Sequence, residues 1–207
     1  MKLLIAAATK KEIAPLLEKL DGFKNKPDVL ITGVGMVATA FNMAKAFAEK
    51  NYDGAVNLGI CGSFNRSLKL GEVVMVTEDI FSEMGAEDGE DFILLSDMKL
   101  ARKSDVFTRS SKRLSFPELK AFKKVNGVTV NTVHGNKKSI AKVLSLYKPA
   151  VESMEGAAFF YACNRFNVPA LQLRAVSNYV ECRNTDNWNM ALAVKNLNEA
   201  AIGILLR

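Results

Sequence analysis

Two glutamates, one arginine and one asparagine carry the chemistry this sequence could perform. Glu155 stands in VESMEGAAFFYA (residues 151–162), where a helix with no wet face is expected from about Met154. A carboxylate beside a buried segment is costly without partners. A helix mouth supplies them, through unsatisfied N–H groups and the positive end of the dipole. An anionic acceptor held over an apolar floor suits the gripping of hydroxyl groups. Glu12, in Thr9-Lys10-Lys11-Glu12, has two readings. It is the acidic member of a capping box, or a carboxylate just past a strand's C-terminal end, where open α/β sheets place their ligands. Arg174 lies within the apolar run 168–176, and Asn178 just beyond it. The single histidine, His134, would have to serve any Ser–His–Asp mechanism.

The elements that must position these groups alternate along the chain. Residues 2–7, 28–32, 55–58, 71–77 (extending toward 82), 128–132 and 168–176 read as strands, with a short one at 92–95. Between them, apolar spacing predicts helices after Glu12, over 36–50, over 137–147, from 154 to about 165, and over 186–206 with Trp188 on its apolar face. This order predicts an α/β fold: a single three-layer domain, residues 1–207, with a central mixed, mostly parallel sheet flanked by helices. Residues 84–113, rich in Asp, Gly, Ser and Lys, read as a long excursion of the kind that forms lids or stays disordered. Gly33-Val34-Gly35-Met36-Val37-Ala38 is a partial dinucleotide fingerprint. Asp53 has the right count for the acidic partner but precedes a strand instead of ending one, which argues against a nicotinamide cofactor.

Composition narrows the class. The 207 residues are 49% hydrophobic and 24% charged, an ordinary globular balance. No apolar run approaches the ~20 residues of a membrane helix, and residues 1–8 are too short an apolar block for a secretory signal. Cys61, Cys163 and Cys182 are too widely spaced for a zinc site or a disulfide framework, so a reduced, cytoplasmic protein without metal is expected. The net charge of +6 is spread without interleaved aromatics, which points to a small-molecule substrate, with no nucleic acid and no membrane partner.

Glu12 in ATKKEI, then TGVGMVATA, NLGICGS, LKLGEVVMV, VESMEGAAF and VPALQLRAVSN fall in an order that resembles the nucleosidase branch of the purine nucleoside phosphorylase superfamily. The likeness spans nearly the whole chain. It implies cleavage of the N-glycosidic bond of a purine nucleoside without a cofactor, by a homodimer or higher homo-oligomer. The resemblance assigns Glu12 as general base on water, Arg174 as a holder of that water, and Met154 and Glu155 as the ribose contacts. Asn178 matches the contact to N7 of the leaving base; Ser177, Ile60 and His134 are further candidate substrate contacts. Two positions depart from the methylthioadenosine/S-adenosylhomocysteine nucleosidases: Asn178 replaces aspartate, and Ile60 replaces a frequent serine. An amide donates through its NH₂ but cannot act as a general acid, a pattern suited to a 6-oxopurine. FSEMGAEDG, VNTVHGN and SNYVECRNTDNW (residues 81–89, 130–136 and 177–188) are similar to the futalosine hydrolases, which implies release of hypoxanthine from an intermediate of menaquinone biosynthesis. The benzoate of such a substrate calls for a cation, with Arg183 and the basic residues of 84–113 as candidates.

Overall fold

The continuous apolar run at the start of the chain becomes a strand buried on both faces, and the rest of the fold packs around it. A computed structural model describes residues 1–23, 26–112 and 114–206. In chain order the elements are β1 (Leu3–Ala7), α1 (Ala14–Leu20), β2 (Asp28–Ile31), α2 (Met36–Glu49), β3 (Gly54–Ser63), β4 (Val73–Phe81), β5 (Gly85–Asp88) and β6 (Asp91–Leu94). There follow α3 (Lys103–Val106), β7 (Phe107–Thr108), β8 (Lys123–Thr129), α4 (Lys137–Tyr147), β9 (Val151–Ser153), α5 (Gly156–Arg165), β10 (Ala170–Tyr179) and α6 (Met190–Leu205).

Leu3, Ile5 and Ala7 face one core with α1 and α6, while Leu4 and Ala6 face a second core with Met43 and Phe47 of α2 and Phe159 and Phe160 of α5. Successive side chains on a strand point to opposite faces, so an unbroken apolar run is what a sheet covered on both sides requires. Burying each of Ile5, Leu58 and Phe159 contributes about 1.5–3 kcal/mol. Truncating one to alanine costs roughly 2–5 kcal/mol.

The sheet is mixed, mostly parallel and partly closed. β1 pairs in parallel with β2 and β3, β3 with β10, and β8 with β4 and β9; β10–β4, β3–β9 and β4–β7 are antiparallel. β3 closes it by dividing one edge: residues 54–57 pair with β1, and Gly62 and Ser63 pair with β9. Its other edge pairs with β10 along its length. The strands β3, β10, β4, β8 and β9 therefore enclose an interior lined by polar side chains.

Several boundaries differ from those expected. The turn predicted at 59–63 is strand, because two flanking strands hydrogen-bond it there. The strand predicted at 128–132 starts at Lys123 and ends at Thr129, its basic residues lying exposed on a paired strand. Residues 151–153 form a strand, and α5 starts only at Gly156. Trp188 lies before α6 and not on its apolar face. The excursion carries the β5–β6 hairpin and β7, which pairs with β4; Arg113 lies outside the described residues.

Candidate active site

Glu12, Ile60, Met154, Glu155, Ser177 and Asn178 line a single cavity of about 340 Å³ at the C-terminal end of the parallel strands. Its wall is completed by side chains that include Lys11, Val34, Val133, Trp188 and Met190. No residue of 84–112 lines it, so this excursion forms no lid over the cavity. The hairpin lies instead beside α4, where Glu87 and Phe92 share a separate pocket with His134. The excursion stays there because β7 is stitched to β4 and its Thr108 hydroxyl donates to the Asp79 carbonyl.

Glu12 both caps its turn and lines the cavity. Thr9 donates its backbone N–H and its hydroxyl to Oε2, each at 2.9 Å, so that oxygen caps the short 3₁₀ turn Lys10–Ile13. Oε1 faces the other way, where the Ile60 N–H donates to it at 3.3 Å.

Glu155 is only 5% exposed. Although it occupies the N-cap of α5, its carboxylate does not cap that helix. Oε1 instead accepts from the backbone N–H of Gly35 at 3.1 Å, the N-cap of α2. The anion thus lies against the positive end of a different helix from the one expected. Gly35 offers that N–H at φ 95°, a conformation that side chains disfavour. Here the partial dinucleotide fingerprint finds its use, as a turn that presents an N–H to a carboxylate.

Arg174 lies beneath the cavity, 1% exposed, with Nη1 at 3.5 Å from Glu155 Oε2. Its neighbour across the parallel pairing is Gly59. A Cβ at that position would collide with the guanidinium and come within 3.2 Å of Glu12 Oε1. The missing side chain therefore makes the room in which the Arg174 guanidinium reaches Glu155 beside Glu12's wall of the cavity. The guanidinium donates from Nε to Gln172 Oε1 at 3.0 Å and from Nη2 to Asn57 Oδ1 at 2.5 Å. Gln172 Nε2 donates onward to Asp79 Oδ2 at 3.3 Å, and Thr129 donates to Asp79 Oδ1 at 2.8 Å. Burial pushes the Asp79 carboxyl up to about 6, against the opposing pull of the Thr129 hydroxyl and Arg174. Asn57, Asp79 and Gln172 were not singled out in the sequence. The signal available was a carboxylate inside the apolar strand VVMVTEDIF (residues 73–81), which must be partnered to be buried there.

Asn178 is aimed by a register shift between Val176 and Asn178 in the β10–β3 pairing. Its Nδ2 donates to the Tyr179 carbonyl at 3.1 Å, and its Oδ1 accepts from Ser177 at 2.8 Å. Since a carbonyl only accepts, the amide orientation is fixed. One N–H and one lone pair are left for a ligand.

His134 is not brought into this cavity. It lines the pocket that opens alongside, past Gly62, Val133, Glu152, Asn178 and Trp188. Its Nδ1 is hydrogen-bonded to Glu152, whose other oxygen accepts the His134 backbone N–H at 3.0 Å. That bond raises the imidazole pKa above its ordinary value. The partner is a carboxylate and not a serine, so no Ser–His–Asp arrangement forms. Arg183 lines the same side pocket, its guanidinium 5.1 Å from the Trp188 ring centre. Among the described residues there is no cluster of metal-ligating side chains and no helix long and apolar enough to cross a membrane. Cys61, Cys163 and Cys182 are free thiols.

A family model described as the phosphorylase superfamily matches residues 19–206. The chain belongs to the phosphorylase superfamily. Within it, the chain is 27% identical over 186 residues to a futalosine hydrolase of Thermus thermophilus, covering 85% of this chain and 80% of that one. It is 28% identical over 208 residues to a 5′-methylthioadenosine/S-adenosylhomocysteine nucleosidase of Colwellia psychrerythraea, covering 86% and 84%. Among solved structures, futalosine hydrolase of Helicobacter pylori superimposes with a TM-score of 0.77 at 18% identity, covering 99% of this chain and 98% of that one. The methylthioadenosine/S-adenosylhomocysteine nucleosidase of Streptococcus pneumoniae, bound to 8-aminoadenine, gives 0.81 at 17% identity, covering 98% and 97%. At these identities the structural likenesses establish the phosphorylase-superfamily fold.

Proposed function

We propose that this protein hydrolyses the N-glycosidic bond of futalosine, releasing hypoxanthine. The observation that carries the reading is the convergence of Glu12, Glu155 and Asn178 on one cavity with Arg174 beneath it. Relatives named futalosine hydrolase and methylthioadenosine/S-adenosylhomocysteine nucleosidase support nucleoside hydrolysis as the reaction class.

The geometry performs the reaction in the following way. A water beside Glu12 Oε1 and Arg174 attacks C1′ while the C1′–N bond breaks. Glu12 takes the water's proton, which a carboxylate at this position can do. Glu155 binds the ribose hydroxyls over Met154, and its fixed negative charge steadies the oxocarbenium-like sugar. The free N–H of Asn178 meets the departing base at N7 or O6, which favours a 6-oxopurine that leaves as an anion. The proton held on Glu12 returns through solvent to the base. Residues 33–37 and 59–63 carry no arginine, which supports water over phosphate as the nucleophile.

For the benzoate, Lys11 is the cation on the cavity wall itself, whereas Arg183 stacks on Trp188 in the side pocket. The substrate's carboxylate meets Lys11. The enzyme acts as a single domain in the cytoplasm, as a homo-oligomer, within menaquinone biosynthesis.

The test is a panel of futalosine, inosine, methylthioadenosine and S-adenosylhomocysteine, with the released base identified by chromatography. Hypoxanthine from futalosine at the highest kcat/KM is expected. Adenine release exceeding hypoxanthine release would overturn the reading of Asn178.

A further inference from the structure

Asp79 is a fully buried carboxylate to which the reaction above gives no part, and it lies one hydrogen-bonded side chain away from Arg174. Buried ionisable groups need partners, but a partner that serves folding alone need not have a direction. This set does. The Ala157 N–H, in the first turn of α5, donates to Thr129 Oγ1 at 2.7 Å. With a lone pair so engaged, the hydroxyl proton points to Asp79 Oδ1 at 2.8 Å. The ionised carboxylate only accepts, so Gln172 must present Nε2 to Oδ2, and its amide cannot turn over. Oε1 of Gln172 is thereby committed to Arg174 Nε. Asn57 is fixed by the same logic, since its Nδ2 donates to the Ala6 carbonyl at 3.1 Å and leaves Oδ1 for Arg174 Nη2. Two acceptors of fixed orientation hold two edges of a planar fork, and the remaining nitrogen, Nη1, is aimed at Glu155 Oε2.

We propose that Asp79, acting through Gln172, is a positioning residue that fixes the Arg174 guanidinium beside Glu155. The proposal rests on the hydrolase reading for its effect on turnover, but not for its effect on Arg174 itself. If the carboxylate at 79 is replaced by an amide, one of its two donors meets an NH₂ group. Where that donor is Gln172, its amide turns over, and an N–H faces an N–H at Arg174. The guanidinium shifts, and a displacement of about 1 Å near the reacting atoms costs on the order of 100-fold in rate.

The decisive set is D79N, Q172E and the double variant D79N/Q172E. The double variant moves the carboxylate from position 79 to position 172 and the amide the other way. It keeps the net charge and returns an oxygen acceptor to Arg174 Nε. Two readouts are taken: kcat and KM for futalosine, and the ¹H–¹⁵N signal of the Arg174 Nε–H with its solvent-exchange rate, assigned by its loss in R174K. For D79N the expected result is a kcat lowered about 10- to 100-fold with KM changed less than threefold, and faster exchange at Arg174. For the double variant the expected result is recovery of both readouts to within about fivefold of wild type. A folded D79N with wild-type kcat and wild-type exchange overturns the proposal, as does a double variant no better than D79N. If D79N does not fold, a folded double variant with an exposed, fast-exchanging Arg174 signal overturns it equally. If the wild-type protein cleaves no nucleoside, the function reading fails, and the Arg174 signal alone decides the positioning role.

Discussion

Arg174 Nη1 stands 3.5 Å from Glu155 Oε2, with both side chains removed from solvent at the base of a cavity that Glu12 also lines. In a dry site such a pair interacts more strongly than it would at a surface, and breaking it leaves an uncompensated charge. The carboxylate has a second partner in the Gly35 N–H, so its position is fixed before any sugar arrives.

Replacing that carboxylate separates its roles. In E155Q the amide oxygen still accepts from Gly35, but its NH₂ faces Arg174. The expected loss in kcat is about 10²–10³-fold, the scale of one removed electrostatic stabiliser. Steady-state kinetics on futalosine check this, and a variant within threefold of wild type would leave Glu155 as a ribose contact only.

In the proposed reaction Asn178 governs which base departs. N178D gains an acid able to protonate N7 and an acceptor for a 6-amino group. The ratio of kcat/KM for methylthioadenosine to that for futalosine is expected to rise at least tenfold. An unaltered ranking would count against the assignment of Asn178 to the base.

The cation on the cavity wall is testable by comparison. K11M is expected to raise KM for futalosine about tenfold more than for inosine, which has no benzoate; one hydrogen bond to a charged group is of that order. R183A is the control, expected to treat the two substrates alike. The opposite pattern would move the benzoate contact to the side pocket.

The Asp79 carboxyl also makes stability depend on pH. Its folded pKa, about 6, lies above the ordinary 3.8 because of burial, so the folded state binds the proton first. Stability from this group therefore rises as pH falls from about 6 toward 3.8 and is lost as pH rises through the folded value. His134 is also raised, by Glu152, and acts in the same direction, with stability present below 6.5 and lost as pH climbs through its folded value. Urea titrations of wild type and D79N between pH 4 and 7 isolate Asp79 by difference (pH range chosen to bracket roughly these two values). The wild-type advantage is expected to grow toward pH 4, and a constant difference would show that burial does not raise the Asp79 carboxyl.

Much of the fold was legible because the helices are amphipathic and β1 is unbroken in its apolar character. The order of short motifs led to Glu12, Glu155, Arg174 and Asn178, and these converge. What could not be read was lateral. Glu155 bonds to Gly35 across 120 positions, and Arg174 depends on Asn57 and Asp79, which periodicity does not link to it. Trp188 looked like part of a helix face because its spacing matched the residues of α6; only the backbone turn at Thr185–Asn187 directs it to the cavity. Residues 84–113 resembled a lid in composition. Strand pairing of β7 with β4 holds residues 84–112 elsewhere, and no local signal announces a two-residue strand.

The central claim is that water, activated by Glu12, attacks the sugar. The most direct measurement is a time course of hypoxanthine release from futalosine in phosphate-free buffer, for wild type and E12Q, repeated after adding phosphate with the sugar product identified. Release by wild type that phosphate does not accelerate, with the free sugar as product and a rate about 10²–10⁴-fold lower in a folded E12Q, is the expected result. Release that requires phosphate and yields a sugar 1-phosphate, or an E12Q variant as fast as wild type, would contradict the account and leave Glu12 as the cap of a short helical turn.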